Sequence, residues 1–194
     1  MVCLATVSGR FISSVAKIAC LGWGSLVWDP RTLPLKTRWF KAGPHLPFEF
    51  LRRTNDGRIT LVIDGSAAPD RSMWAVLDAP DLKTAISALS TREATSDRNI
   101  GVWRAGETAP TLIPQLAVWA HKRHLNAVIW TNLHCKFGSQ KFPADAGQVI
   151  AHLRGLEGEQ LKKAAEYVRR APRQIDTALR RAIATALGWE CDGD

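Results

Sequence analysis

The chain has 194 residues, 46% of them apolar, with 26 Lys and Arg against 18 Asp and Glu for a formal charge of +8. That length suits one domain, or one domain with an appendage, and the apolar content is enough for an ordinary core. No window approaches the ~18–20 uninterrupted apolar residues that a bilayer crossing requires, so neither a spanning segment nor a membrane partner is expected.

Residues 1–16 mix small, polar and apolar side chains around Arg10 and lack the charged-then-apolar order of a secretory signal, so they are expected to form a flexible extension. Lys17 to Gly22 reads as a buried strand and runs into Leu21-Gly22-Trp23-Gly24-Ser25-Leu26-Val27-Trp28. Glycine lacks a Cβ and tolerates positive φ, so Gly22 and Gly24 can bring successive N–H groups onto a carboxylate or phosphate. A tight turn between strands is the plainer use of the same pair. Pro30, in Asp29-Pro30-Arg31, either starts a helical turn or stiffens an extended segment.

Phe48 to Arg53 and Arg58 to Ile63 form a β-hairpin with Asp56-Gly57 as its turn signal. Ser72 to Leu77 is a further strand, after which Asp78-Ala79-Pro80-Asp81 reads as a helix start, with Leu82, Ile86 and Leu89 on the buried face. That helix is expected to end near Ser90-Thr91-Arg92-Glu93. Strands follow at Asn99 to Arg104 and Asn126 to Thr131. Helices are expected over Gly147 to Arg154, Glu157 to Arg170, and from Pro172 through Ile175, Leu179, Ile183 and Leu187 to a stop at Gly188. Strands before residue 131 and helices after it make an α+β pattern rather than repeated βαβ units.

Cys3, Cys20, Cys135 and Cys191 are too scattered for a zinc site or a disulfide framework, so reduced thiols in a cytoplasmic protein are expected, with Cys20 a small core residue. His45, His121, His124, His134 and His152 invite pairing with Ser25 or Cys135 as nucleophile. Gly-Trp-Gly-Ser-Leu, however, lacks the glycine that follows serine in a hydrolase elbow. His121 and His124 can share a helix face, yet no third metal ligand accompanies them.

The basic excess is concentrated between Arg31 and Arg58, where seven Lys and Arg oppose only Glu49 and Asp56. A field around a pocket for an anionic small molecule explains this, and so does a solvated hairpin face. A nucleic-acid module would interleave aromatics with arginines on one sheet face. Only Arg38-Trp39-Phe40-Lys41 resembles that, so nucleic acid is not the expected partner. Trp39, Trp74, Trp103, Trp119 and Trp130 read as core or interface residues.

In order and spacing, the strand, the Gly-Trp-Gly-Ser-Leu-Val-Trp loop, the hairpin holding Gly57-Arg58-Ile59-Thr60-Leu61, the strand Met73 to Leu77 and the helix closing on Leu89-Ser90-Thr91-Arg92-Glu93 resemble the γ-glutamylcyclotransferase-like superfamily. They look closest to its ChaC-type branch, whose loop typically reads Phe-Gly-Tyr-Gly-Ser-Leu-Ile-Trp. Both glycines, Ser25, Leu26 and Trp28 match, and the resemblance covers roughly residues 17–104.

The resemblance implies a mixed β-barrel with flanking helices over residues 17–131, with residues 132–194 as a helical C-terminal extension packed on that core. It implies a small γ-glutamyl substrate held by Gly22, Trp23, Gly24, Ser25 and Leu26, with Glu93 as the general base that frees the α-amine to attack its own γ-carbonyl. The products would be 5-oxoproline and an amine or peptide, and no metal or organic cofactor is implied. Trp23 departs from the family's tyrosine: its indole N–H donates but cannot accept a hydrogen bond. It therefore reads either as a core residue or as the mark of a narrower, more apolar site.

Read without the loop, Glu93 is a solvated acid paired with Arg92 or Arg98, both of them surface residues; either arginine can otherwise orient a substrate carboxylate. The tail from Pro110 is left to lid the pocket or to form a homodimer contact. A non-catalytic binder on the same scaffold, or an enzyme for γ-glutamylamines, is the competing expectation.

Overall fold

The structure, a computed structural model, describes residues 16–139 and 144–191. The expected N-terminal extension lies outside these residues, apart from Ala16. Strand β1 (Ile18–Gly22) is buried along its whole length. It lies inside a four-stranded sheet, antiparallel to β5 (Met73–Val76) and parallel to β7 (Ala127–Thr131), with β6 (Ile100–Arg104) beyond β7. The continuous apolar run of β1 has a simple cause. Ala19 and Leu21 face one core and Ile18 and Cys20 face another, so neither side of the strand meets water. Strand β7 divides in the same way, with Val128 and Trp130 on one side and Ala127 and Ile129 on the other.

Helix α2 (Leu82–Arg92) covers the Ile18 and Cys20 face through Ala85 and Leu89. The opposite face shares the larger core with a second sheet, in which β2 (His45–Arg53) lies between β3 (Ile59–Ile63) and the short β4 (Pro69–Arg71). The hairpin closes through Gly57 at φ 87°, the left-handed conformation its Asp-Gly turn signal anticipates. Helices α4 (Ala146–Arg154), α5 (Gly158–Arg170) and α6 (Ala178–Leu187) close this core with Val149, Leu153, Val168 and Ile183. The fold is therefore mixed α+β with two sheets. Among the described residues the ladders form two open sheets and no closed barrel.

Two helix starts differ from expectation. Helix α2 begins at Leu82 with Asp81 as its cap, three residues beyond Asp78, because the Asp78 N–H is bound to the Pro34 carbonyl at 2.8 Å; Asp81 accepts from the Thr84 N–H at 2.8 Å. Helix α6 begins at Ala178, not at Pro172. The carbonyls of Pro172 and Ile175 turn instead toward the buried Arg180 guanidinium, at 2.9 and 2.7 Å, and Thr177 caps the helix by accepting from the Arg180 N–H at 3.1 Å. Ile175 is still fully buried, just ahead of the helix whose stripe it was expected to join. The Thr177 hydroxyl also donates to buried Glu49 on β2, and the same carboxylate accepts from the Leu179 N–H at 3.3 Å. Gly188 ends α6 in the left-handed conformation, as expected. The edge strand β4, the helix α3 (Leu116–His121) and a helical turn α1 (Ser25–Trp28) have no counterpart in the sequence reading.

Candidate functional site

Beyond β1 the chain reverses through Trp23 and Gly24 directly into α1, ahead of Pro30. Gly24 adopts φ 57° and ψ −149°, a combination open essentially only to glycine. Its missing side chain has a specific cause, because a Cβ there would overlap the Tyr167 hydroxyl and lie 2.8 Å from the Tyr167 Cζ. Gly22 is a strand residue closed over by an aromatic ring, with Trp39 Cη2 2.6 Å from where a Cβ would stand. Both glycines thus admit aromatic side chains against the backbone.

Trp23 is buried. Its ring lies 4.9 Å from that of Phe48, and its indole N–H donates to the Leu61 carbonyl at 3.3 Å. From the other side, the Leu61 N–H donates to the Tyr167 hydroxyl at 3.3 Å. One residue of the hairpin, Leu61, is thereby held through both its carbonyl and its N–H by two aromatic residues from distant parts of the chain.

Arg92 is buried rather than on the surface, which corrects the sequence reading, and it joins the end of α2 to the loop. Its Nη2 donates to the Asp29 carbonyl at 2.6 Å and to Ser25 Oγ at 3.3 Å, while Nη1 donates to Glu93 Oε1 at 2.7 Å. The side chains of Arg92 and Glu93 are only 4% and 17% exposed. Burial raises the Glu93 carboxyl above its ordinary value, against the opposing pull of Arg92 and Arg31. Burial, reinforced by the Glu93 charge, also pushes the Cys20 thiol far up, leaving it an inert core residue. Arg98 is exposed.

These groups open on a cavity of about 970 Å³. Trp23, Ser25, Leu26 and Glu93 all line it; Gly22 and Gly24 do not. The hairpin turn from Arg52 to Arg58 forms a second wall, and Lys163, Glu166, Tyr167 and Arg170 of α5 form a third. Of the seven basic residues between Arg31 and Arg58, Arg31, Arg52, Arg53 and Arg58 face this cavity and Lys36, Arg38 and Lys41 do not. Part of the basic excess is therefore a field over a concave site. Two of these cations have acid partners nearby: Asp29 meets Arg31 at 3.1 Å and Asp56 meets Arg58 at 2.9 Å. The tail wall is tied in by Arg170, whose guanidinium lies 5.4 Å over the Trp28 ring.

Sequence reasoning thus missed Arg92 as a buried tie; it offered the tail as a lid on the pocket without singling out α5 as a wall. Of the remaining tryptophans, Trp103, Trp119 and Trp130 are buried and Trp39 and Trp74 partly so. Among the described residues no helix is long and apolar enough to cross a membrane. Comparison of the chain with family models, with curated proteins and with solved structures finds no match.

Proposed function

We propose that this chain is a γ-glutamylcyclotransferase-like enzyme that cyclises a γ-glutamyl peptide or amine to 5-oxoproline. The observation that carries the reading is the largely enclosed Glu93 carboxyl in the wall of the same basic cavity as Trp23, Ser25 and Leu26. The reading brings with it the family's mixed β-barrel scaffold, toward which the shared core of the two sheets counts as support.

An α-ammonium is not nucleophilic until it loses a proton, and a carboxylate with a raised pKa is better matched to that transfer than a solvated one. Glu93 takes the proton and the free amine attacks the γ-carbonyl carbon. The new C–N bond forms, the attacking nitrogen gives up its second proton, and as the old amide C–N bond breaks the leaving nitrogen takes up both protons, one of them from Glu93, and departs as an ammonium. Because ring closure is intramolecular, most of the work is to hold amine and carbonyl in register; such positioning reaches effective molarities of about 10⁵–10⁸ M. The N–H groups of Ser25 and Leu26 lie in the first turn of α1, where no helical carbonyl precedes them, and are suited to hold the glutamyl carboxylate. The basic rim suits an anionic substrate.

One observation favours a second reading, a non-catalytic binder: Glu93 Oε1 is already engaged by Arg92. The two are separated by incubating purified protein with glutathione and a panel of γ-glutamyl dipeptides and amines, quantifying 5-oxoproline by mass spectrometry. Product from the wild type that disappears in Glu93→Gln is expected. Folded protein that yields no product across the panel refutes the enzyme reading.

A further inference from the structure

Tyr167 is the chain's single tyrosine, and it lies on α5, far outside the segment that resembles any family. It is 5% exposed, its ring stands edge-on to Trp28 and Phe50 at 5.6 and 6.2 Å, and the Arg58 guanidinium lies 5.9 Å over it. These contacts fix the ring on all sides and hold its hydroxyl against Gly24, in the space a side chain there would take.

The hydrogen-bonding of that hydroxyl is half complete. It accepts the Leu61 N–H at 3.3 Å, yet among the described residues its own proton has no acceptor. A buried phenol ordinarily satisfies its donor, because leaving one unpaired forfeits a hydrogen bond that water would have supplied. Burial, with the Glu93 charge adding to it, keeps the proton on the oxygen, so the group is a donor at any physiological pH. Donation by the Leu61 N–H into the same oxygen polarises the O–H and strengthens it as a donor. The side chain lines the cavity that Glu93 also lines.

We propose that Tyr167 contacts the substrate, its hydroxyl donating a hydrogen bond to an oxygen of the γ-glutamyl group held in this cavity. The proposal rests on the cyclotransferase reading of the cavity. A helix of the C-terminal segment then supplies a polar contact to chemistry whose base and loop both come from the first half of the chain.

Two measurements test it on the full chain. In the first, kcat/KM for γ-glutamylalanine is compared between wild type and Tyr167→Phe, with Glu93→Gln as the inactive reference; a drop of about 100-fold is expected, the usual consequence of losing one well-placed donor. In the second, Glu93→Gln protein labelled at tyrosine Cζ with ¹³C is titrated with γ-glutamylalanine. The single tyrosine gives a single resonance, and it is expected to move on saturation as the phenol gains an acceptor. Wild-type turnover lost in Glu93→Gln but unchanged in Tyr167→Phe overturns the role of Tyr167 and leaves the cyclotransferase reading standing. A lower kcat/KM with a resonance that stays fixed at saturation makes Tyr167 a structural support only, and also overturns the proposal. Absence of both product and binding in the wild type refutes the cyclotransferase reading itself, and this proposal with it.

Discussion

Replacing Gly24 by alanine tests the packing on which the site depends. At φ 57° and ψ −149° the backbone is nearly closed to alanine, a cost of about 1–3 kcal/mol. The added methyl group would overlap the Tyr167 hydroxyl and stand 2.8 Å from Cζ, and relieving such overpacking in a well-filled region costs about 1–3 kcal/mol. Moving the phenol away surrenders its hydrogen bond with the Leu61 N–H, worth about 1 kcal/mol. Together these give a loss of about 3–7 kcal/mol, a large fraction of the 5–15 kcal/mol typical of a domain. At about 2–4 °C per kcal/mol for a chain of this size, Tm should fall by at least about 6 °C. The assay is thermal and urea unfolding followed by circular dichroism. Gly106→Ala serves as the control, since Gly106 also has positive φ (93°) but no atom within 4 Å of its missing Cβ. Gly24→Ala should be much the more damaging of the two. Placed in a Tyr167→Phe background, Gly24→Ala should cost less than it does alone, because the overlapping oxygen has gone. Equal effects of Gly24→Ala and Gly106→Ala, or strict additivity with Tyr167→Phe, would refute the reasoning.

The remaining predictions concern Glu93 and its tie. Because burial raises the Glu93 carboxyl and the base must be ionised, the acid limb of kcat/KM should lie above the ordinary glutamate value of 4.5. The same shift carries a stability signature: the folded state holds this proton more tightly than the unfolded one, so the contribution of Glu93 to stability declines as pH rises from 4.5 through the raised value. The pH dependence of Tm should therefore be flatter over that window in Glu93→Gln. Arg92→Ala strips the counter-charge from a carboxylate only 17% exposed and should cost about 3–5 kcal/mol by urea unfolding. It should also move the acid limb further upward, since Arg92 is the first of the groups that lower Glu93; an unmoved limb would show that Arg92 does not tune the base.

The elements that were legible in the sequence are those whose cause is local. The hairpin was visible because Asp56-Gly57 demands a left-handed turn, and the end of α6 because Gly188 does too. The strand character of β1 was legible as an apolar run, although which residue faces which core was not, since both faces are covered. The starts of α2 and α6 were misread because their decisive bonds are not local: Asp78 is held by Pro34, and Pro172 and Ile175 by Arg180. The site follows the same division. Trp23, Ser25 and Leu26 are neighbours in the chain, and the family resemblance brought Glu93 to them. Arg92 looked like a surface charge because the carbonyl that holds it, Asp29, is 63 residues away. Tyr167 looked like one apolar position on an amphipathic helix because the peptide it binds, at Leu61, is 106 residues away. No periodicity encodes such distances.

The bond between Glu49 and Thr177 sets an order on synthesis. During translation β2 emerges with a carboxylate destined for the interior, and the hydroxyl and N–H groups that will receive it follow 128 and 130 residues later. Until they arrive, closing the sheet would leave that carboxylate with only the adjacent Phe50 N–H, which it accepts at 2.9 Å, so the hairpin has reason to stay open. A ribosome that stalls before residue 177 therefore leaves a chain whose strands are all made but whose core has no lid for its one inward-facing acid on β2. Such a fragment is a natural substrate for chaperones and proteases rather than a smaller working version of the protein.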